Sequence, residues 1–311
     1  MMEEVKRKSR IVVWIKASRL HTLPLALASI GLGTLLAYRT HFKASIAVFT
    51  FITAILLQIL SNLANDYGDT KHGADSEARV GPKRMVHSGQ ISRSEIKAGI
   101  AVVMILSLIS GIILLLSSLD NIGYSGAMIL FAIGIVAIVA AVAYTATPKP
   151  YGYMGLGDIS VFLFFGIVAV AGSYYLQTGS VPLLVLLPAS GMGMLCTAVL
   201  NINNMRDIES DAQTNKKTIP VKIGLRNAKI YHWVLLMVPV ILFAVYGILV
   251  DNYHWVLGIG MVFLLLRNGW AVSFSEGPAD LAPQLKWLSI SIFIFAIYYG
   301  VCLATLHFPI D

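Results

Sequence analysis

The chain has 311 residues, of which 57% are hydrophobic and 13% charged, with a mean hydropathy of +0.76 and a formal net charge of +7. A soluble domain carries about 25% charged residues, so this chain has too little charge to coat a water-facing surface. That excludes a disordered chain, a disulfide scaffold and an ordinary cytosolic enzyme, and it implies an all-α polytopic membrane protein. The basic pI near 9.3 does not call for nucleic acid, because membrane proteins concentrate Lys and Arg on their cytoplasmic loops.

A spanning helix needs about 20 mainly apolar residues, and nine stretches qualify. A basic tail, 1–19, comes first and holds Lys6, Arg7, Lys8, Arg10, Lys16 and Arg19. Segments near 22–38 and 45–65 follow, then a polar loop with Lys71, Arg79, Lys83, Arg84, Arg93 and Lys97. Segments near 97–118, 123–145, 155–176 and 181–203 come next, with Lys149 between the second and third of these. A second polar loop carries Arg206, Lys216, Lys217, Lys222, Arg226 and Lys229. Segments near 228–250, 253–272 and 286–308 complete the set, with Arg267 and Lys286 flanking the last turn. Alternation suited to strands is not sustained, which disfavours a lipid-facing barrel. Cys196 and Cys302 lie in apolar runs without a CxxC pair and read as packing residues.

Counting loops alternately fixes direction. Of the 23 Lys and Arg residues, all but Arg39 and Lys43 fall on one side. The positive-inside rule puts that side, with the N-terminus, in the cytoplasm and the C-terminus outside. The expected organisation is one integral membrane domain over 1–311, with cytoplasmic active-site loops at 66–96 and 204–227.

Two acidic islands break the apolar pattern. The first runs from Asn62 through Asn65, Asp66, Asp69, His72 and Asp75 to Glu77; the second runs from Asn201 through Asn203, Asn204, Arg206, Asp207 and Glu209 to Asp211. Each follows an apolar segment on the cytoplasmic side. An Asp at mid-bilayer costs roughly 2.5–3.5 kcal/mol, so such clustering needs a purpose. On a continuing helix Asn62, Asp66 and Asp69 share a face, as do Asn204, Asp207 and Asp211. Like charges at this spacing repel unless cations lie between them. An oxygen-only set without Cys or His partners suits magnesium or calcium. Arg79, Lys83, Arg84, Arg206 and Lys216 stand beside the acids and suit phosphate oxygens. Acid beside base on two loops describes a metal-bridged diphosphate site, with Asp66, Asp69, Asp75, Asp207 and Asp211 as metal ligands. His72, Glu77 and Glu209 read as ordinary loop residues. Isolated, either acidic run would read as a solvated helix face.

The chain resembles the UbiA-type intramembrane prenyltransferases. The resemblance is carried by Ala17 to Pro24, Asn62 to Asp75, Arg79 to Arg84, Tyr144 to Asp158, and Asn203 to Asp207 continuing to Thr218. It is nearest the branch that prenylates 1,4-dihydroxy-2-naphthoate in menaquinone synthesis. It departs from the superfamily in having Gly73 where an Asp is often found, with Asp75 two residues later, and Asn215 where a Gly often precedes Lys216. Asn tolerates a left-handed turn nearly as well as Gly.

The resemblance implies a bacterial cytoplasmic-membrane enzyme whose helices bundle around a central cavity. It implies transfer of a polyprenyl chain from its diphosphate to the naphthoate, with loss of carbon dioxide. The implied cofactor is Mg2+, two ions bridging the diphosphate, with Mn2+ as the alternative. Asn65 and Asn204 would orient ligands, Asn65 on the diphosphate side and Asn204 on the acceptor side. Tyr144, Tyr151, Tyr153, Phe162, Phe164 and Phe165 offer aromatic faces to an allylic cation. Tyr144 and Lys149 are candidate catalytic groups, and Arg19 and Asp158 candidate acceptor contacts. Two other readings stay open: a sibling enzyme using 4-hydroxybenzoate, haem or chlorophyllide, and a cation transporter. The transporter would place its carboxylates near the midplane at broken helices.

Overall fold

The computed structural model describes residues 2–73, 84–250, 253–260 and 262–305, with side chains from Arg10 onward. The described residues are helical, with short turns and no strand. Helix α1 (Met2–Ser18) leads through a 3-10 turn, Leu20–Thr22, into α2 (Leu23–Ala37). Then come α3 (Ala44–Lys71), α4 (Arg93–Ala143) and a 3-10 turn at Tyr151–Met154. Helix α5 (Gly157–Val161) continues as a π-helical stretch, Phe162–Ala171, into α6 (Gly172–Thr178). Helix α7 (Leu186–Arg206) is followed by the short α8 (Ile208–Gln213) and by α9 (Ile219–Leu249). The chain ends in α10 (Trp255–Ile259), α11 (Val262–Ser273) and α12 (Pro278–Thr305).

Eight of these helical runs among the described residues are long and apolar enough to cross a membrane. The longest, α4, has 51 residues. At about 1.5 Å per residue it would be more than twice as long as a hydrocarbon core of about 30 Å is thick. It breaks at Gly123, where φ is 64° and ψ is 177°, a conformation that glycine adopts without steric cost. Both ends of α4 return to the same end of the bundle: Gly99 packs on Leu63 and Trp14, and Thr145, just past α4, packs on Gly68. The break sits at the opposite end, where Asn121 donates to the carbonyls of Leu176 and Gln177 at 3.1 and 2.7 Å. Helix α4 is therefore a hairpin of two spans, which brings the spans among the described residues to nine, in line with the nine expected segments.

Helix α1 was not expected from the basic tail. It forms because Val13, Trp14 and Ala17 share a face that packs on Leu63 and Ile96, while Arg10 pairs with Glu95 at 2.6 Å. Glu95 also closes a capping box with Ser92 at the start of α4. Helix α7 is the central post. Almost all of its face from Pro188 to Arg206 is buried, rich in Gly, Ala and other small residues. Helices α2, α9, α12 and the π-helical stretch pack around it. A second apolar cluster joins α1, α3 and α4. Between the two clusters lies the cavity that holds the site. Side chains such as Ile105, Leu116, Val136, Ile241 and Ile248 face outward from this core, as a lipid-facing belt requires.

Candidate functional site

The cavity has a volume of about 460 Å3. Its polar end is formed by Arg19, Asn62, Asn65, Asp69, Arg84, Asn203, Asn204 and Lys216, and the rest is lined mostly by apolar side chains. Each polar group arrives on a different element, and the contacts show why they converge.

Helix α3 stays helical through Lys71, which carries its acidic end beyond the apolar segment. Gly68 lets the chain after α4 approach closely: a Cβ there would lie 2.7 Å from Thr145 Cβ and closer still to its backbone carbonyl. Thr145 then donates from Oγ1 to Asn65 Oδ1 at 2.9 Å and to the Ala64 carbonyl at 3.1 Å. Asp69, 5% exposed, accepts from the Tyr153 hydroxyl at 2.9 Å and pairs with Arg84. Its neighbour Asp66 behaves differently. Both Asp66 oxygens accept backbone N–H groups, from Met85 at 3.0 Å and Val86 at 3.1 Å, and the side chain does not line the cavity.

The second island follows α7. Arg206 donates through Nε and Nη2 to both oxygens of Asp207, at 2.8 and 2.7 Å, and Nη2 also donates to Asn203 Oδ1. The Asp211 backbone N–H bonds to the Asp207 carbonyl at 2.8 Å, and Lys216 Nζ donates to Asp211 Oδ1 at 3.1 Å. Asn215 makes the turn with φ of 58°, the left-handed conformation expected of it. Lys216 Nζ also stands 5.5 Å from the centre of the Tyr153 ring. Tyr153 thus bridges the islands, with its hydroxyl on Asp69 and its ring under the lysine that holds Asp211. Burial raises the Asp211 carboxyl above the usual carboxylate range. Lys216 opposes that shift, and the Asp207 and Asp69 carboxylates add to it.

Among the described residues, no three His, Cys, Asp or Glu side chains converge as a ready-made ion cage. Instead Asp69, Asp207 and Asp211 each hold a cationic side chain. The donor set nevertheless suits a hard divalent cation. It is all oxygen, and Asp211 Oδ2 is buried without a hydrogen-bond partner, an open acceptor that a cation would satisfy.

Arg19 has φ of 50°, a left-handed backbone that a non-glycine residue adopts at a cost. Thr22 Oγ1 and N–H both bond to the Arg19 carbonyl. Gln58 and Asn62 donate to Thr22 Oγ1 at 3.1 and 2.9 Å, and Asn62 also donates to the Ser18 carbonyl. This network holds the turn so that Arg19 faces the cavity.

Of the expected site residues, Arg19, Asn65, Asp69, Arg84, Tyr144, Asn204 and Lys216 line the cavity. Arg206, Asp207 and Asp211 are buried and do not line it; Arg206 bonds to Asn203 and Asp211 to Lys216, both of which do. Tyr144 stands edge-on to Tyr151, whose hydroxyl bonds to Ser160 at 2.9 Å, and Phe164 and Phe165 continue the wall. Lys149 is exposed and Asp158 is turned away, accepting from the Tyr231 hydroxyl at 3.1 Å; neither lines the cavity. Asp75, Arg79 and Lys83 lie outside the described residues. Thr145 and Gln58 carry no sequence signal of their own, although a glycine inside the acidic helix end, Gly68, is a sign of close backbone approach.

The chain is 42% identical over 302 residues to a 1,4-dihydroxy-2-naphthoate octaprenyltransferase of Haemophilus influenzae, covering 94% of this chain and 96% of that protein. It is 44% identical over 285 residues to the protein of the same name from Escherichia coli, covering 89% and 90%. The fold is similar to that of a UbiA homolog from Archaeoglobus fulgidus bound to DMAPP and Mg2+, with a TM-score of 0.65 and 17% identity over 94% of this chain and 99% of that one. Residues 26–304 match the UbiA prenyltransferase family, and with two relatives above 40% identity along nearly the whole chain, this protein belongs to that family.

Proposed function

We propose that this chain transfers a long isoprenoid from a polyprenyl diphosphate to 1,4-dihydroxy-2-naphthoate, with loss of the ring carboxyl as carbon dioxide, giving demethylmenaquinol. The observation that carries the reading is the meeting of the two acidic motifs, through Tyr153, at the polar end of a cavity that is otherwise apolar. A diphosphate with a hydrocarbon tail needs that division. The names of the relatives support the acceptor.

In this reading Arg84 and Lys216 hold phosphate oxygens, and Asp69, Asp207 and Asp211 hold the divalent ions. For Arg79, Lys83 and Asp75, outside the described residues, the sequence-based roles stand: phosphate contacts for the first two and a metal ligand for the third. Mg2+, with Mn2+ as the alternative, would be held there by these carboxylates and would supply positive charge to offset that on the departing diphosphate. Arg84 and Lys216 already sit on carboxylates, so their charges are in place before the carbon–oxygen bond breaks. The electron pair of that bond leaves with the diphosphate, and the electron-poor allylic carbon faces Tyr144, Tyr151, Phe164 and Phe165. These rings exclude water and present their negative faces. A ring carbon of the acceptor takes the allylic carbon, and Arg19 anchors the acceptor carboxylate before it departs. Asn65 is fixed by Thr145, and Asn204 lines the same end, so both are available to orient ligands. Lys149 and Asp158 have no part in this reading.

The charged loops support a placement in the bacterial cytoplasmic membrane with the N-terminus and the site facing the cytoplasm and the C-terminus outside. Arg39 and Lys43 fall at the opposite end, where Lys43 pairs with Asp120 at 3.2 Å.

The test is purified protein in lipid nanodiscs with Mg2+, octaprenyl diphosphate and either 1,4-dihydroxy-2-naphthoate or 4-hydroxybenzoate. Mass spectrometry is expected to find demethylmenaquinol from the first and no product from the second. Turnover of hydroxybenzoate alone would overturn the acceptor assignment, and ion flux without diphosphate release would point to a transporter. Within the same assay Tyr153→Phe removes the hydroxyl that steadies Asp69 but keeps the ring beneath Lys216. It is expected to lower kcat/KM about tenfold, the worth of one hydrogen bond to a charged group. Wild-type kinetics would show that the bridge between the islands is idle.

A further inference from the structure

Asp66 is the acid of the first island that the cavity does not use. Its carboxylate is 2% exposed, and each of its oxygens accepts one backbone N–H, Oδ2 from Met85 and Oδ1 from Val86. Met85 and Val86 are themselves buried against Leu63, Ile91 and Ile96. The residue before them is Arg84, whose guanidinium reaches Asp69 and lines the cavity. Beyond them the chain turns, with the Gln90 and Ile91 N–H groups bonding to the Met85 carbonyl at 3.0 and 3.1 Å, and enters α4 at its capping box.

Helix geometry explains the division of labour. Successive residues turn by about 100°, so Asn65 and Asp66 point to different sides of α3. The cavity takes the Asn65 side. Asp69 falls between the two directions and reaches the cavity, while Asp66 meets the polypeptide that returns from the loop. Each Asp66 oxygen keeps a lone pair beyond its amide contact, but the side chain is buried beneath the Met85–Val86 backbone and does not line the cavity.

We infer that Asp66 is a positioning residue: its carboxylate clips the Met85–Val86 backbone to α3 and thereby holds Arg84 over Asp69 at the diphosphate end of the cavity. The inference rests on the diphosphate reading of the site, and it removes Asp66 from the set of metal ligands. Asp66 acts on substrate through Arg84, so its loss weakens diphosphate binding without altering the affinity for metal.

Full-length protein in nanodiscs gives the test. Hydrogen exchange, read by mass spectrometry without substrate, is expected to show loss of protection at the Met85 and Val86 amides in Asp66→Ala and retention in Asp69→Ala. In turnover, Asp66→Ala is expected to raise KM for octaprenyl diphosphate about tenfold, while its Mg2+ activation midpoint stays with wild type and that of Asp69→Ala moves. The double variant Asp66→Ala/Arg84→Ala is expected to bind no worse than Arg84→Ala alone, because both remove one contact. Asp66→Asn keeps one acceptor oxygen and is expected to restore part of the loss, which keeps the test decisive if the alanine variant does not fold. A Mg2+ midpoint shifted as far as in Asp69→Ala, with the two amides still protected, would make Asp66 a ligand and overturn the inference. Additive effects of Asp66→Ala and Arg84→Ala would overturn the positioning role and leave a plain structural clip. Wild-type turnover in both Asp69→Ala and Arg84→Ala would instead overturn the diphosphate reading, while the exchange result still judged the clip.

Discussion

Asp69→Asn is expected to lower kcat/KM for the polyprenyl diphosphate about a thousandfold, the scale of losing one preorganised charge-stabilising group. The substitution is nearly isosteric. Tyr153 and Arg84 donate to different oxygens of Asp69, so the single amide oxygen of Asn keeps one of these bonds while its NH2 group faces the other donor. What disappears is the negative charge that lies within electrostatic reach of Asp211 and that, in the proposed function, helps hold the divalent ion. Arg84 also loses its buried counter-charge. Removing one partner of a buried ion pair costs about 3–5 kcal/mol when nothing replaces it; the retained hydrogen bond reduces that figure, and the thermal midpoint should fall by only a few degrees. Steady-state turnover and a thermal melt in the same nanodisc preparation separate the two effects. Turnover within tenfold of wild type, with the protein folded, would leave the metal-binding assignment of Asp69 without support.

The fold and the place of the site were legible in the sequence because the bilayer penalises charge so heavily. Apolar runs, basic loops and two acidic helix ends sort themselves by that single rule, and the nine segments and the convergence of the islands follow from it. The finer geometry was not legible. Asn62, Asp66 and Asp69 share a face by spacing, yet Asp66 belongs to the Met85–Val86 backbone and Asp69 to the cavity. The difference is a fraction of a helical turn, decided by which neighbour packs on which side. Helix α1 escaped notice because its basic residues mask the short stripe of Val13, Trp14 and Ala17. The π-helical stretch Phe162–Ala171 has no sequence signal in an all-apolar run, since every register looks alike. Asp158 drew attention as an acid beside an aromatic loop, but its partner, Tyr231, lies 73 positions away and no local pattern announces it.

Gly68→Val is expected to lower turnover about a hundredfold or more although the residue touches neither substrate nor metal in the proposed function. A Cβ at this position already runs into the backbone of Thr145, and backbone cannot swing aside as a flexible side chain can. Either α3 or the Thr145 segment must move. Three contacts then loosen together: the Thr145 hydroxyl on Asn65, the Thr145 hydroxyl on Ala64, and the Tyr153 hydroxyl on Asp69. A shift of about an ångström at a preorganised site is enough to cost a hundredfold in rate, whereas overpacking costs about 1–3 kcal/mol in stability. The variant should therefore insert and remain folded with a lowered thermal midpoint while its turnover nearly vanishes. Gly68→Ala, which introduces the same Cβ but no branches, should fall between the two. If Gly68→Val melted early but turned over normally at low temperature, the close approach of α3 to Thr145 would be a packing contact alone, and the acidic end of α3 would be held to the cavity by Arg84 and Tyr153 without help from the backbone.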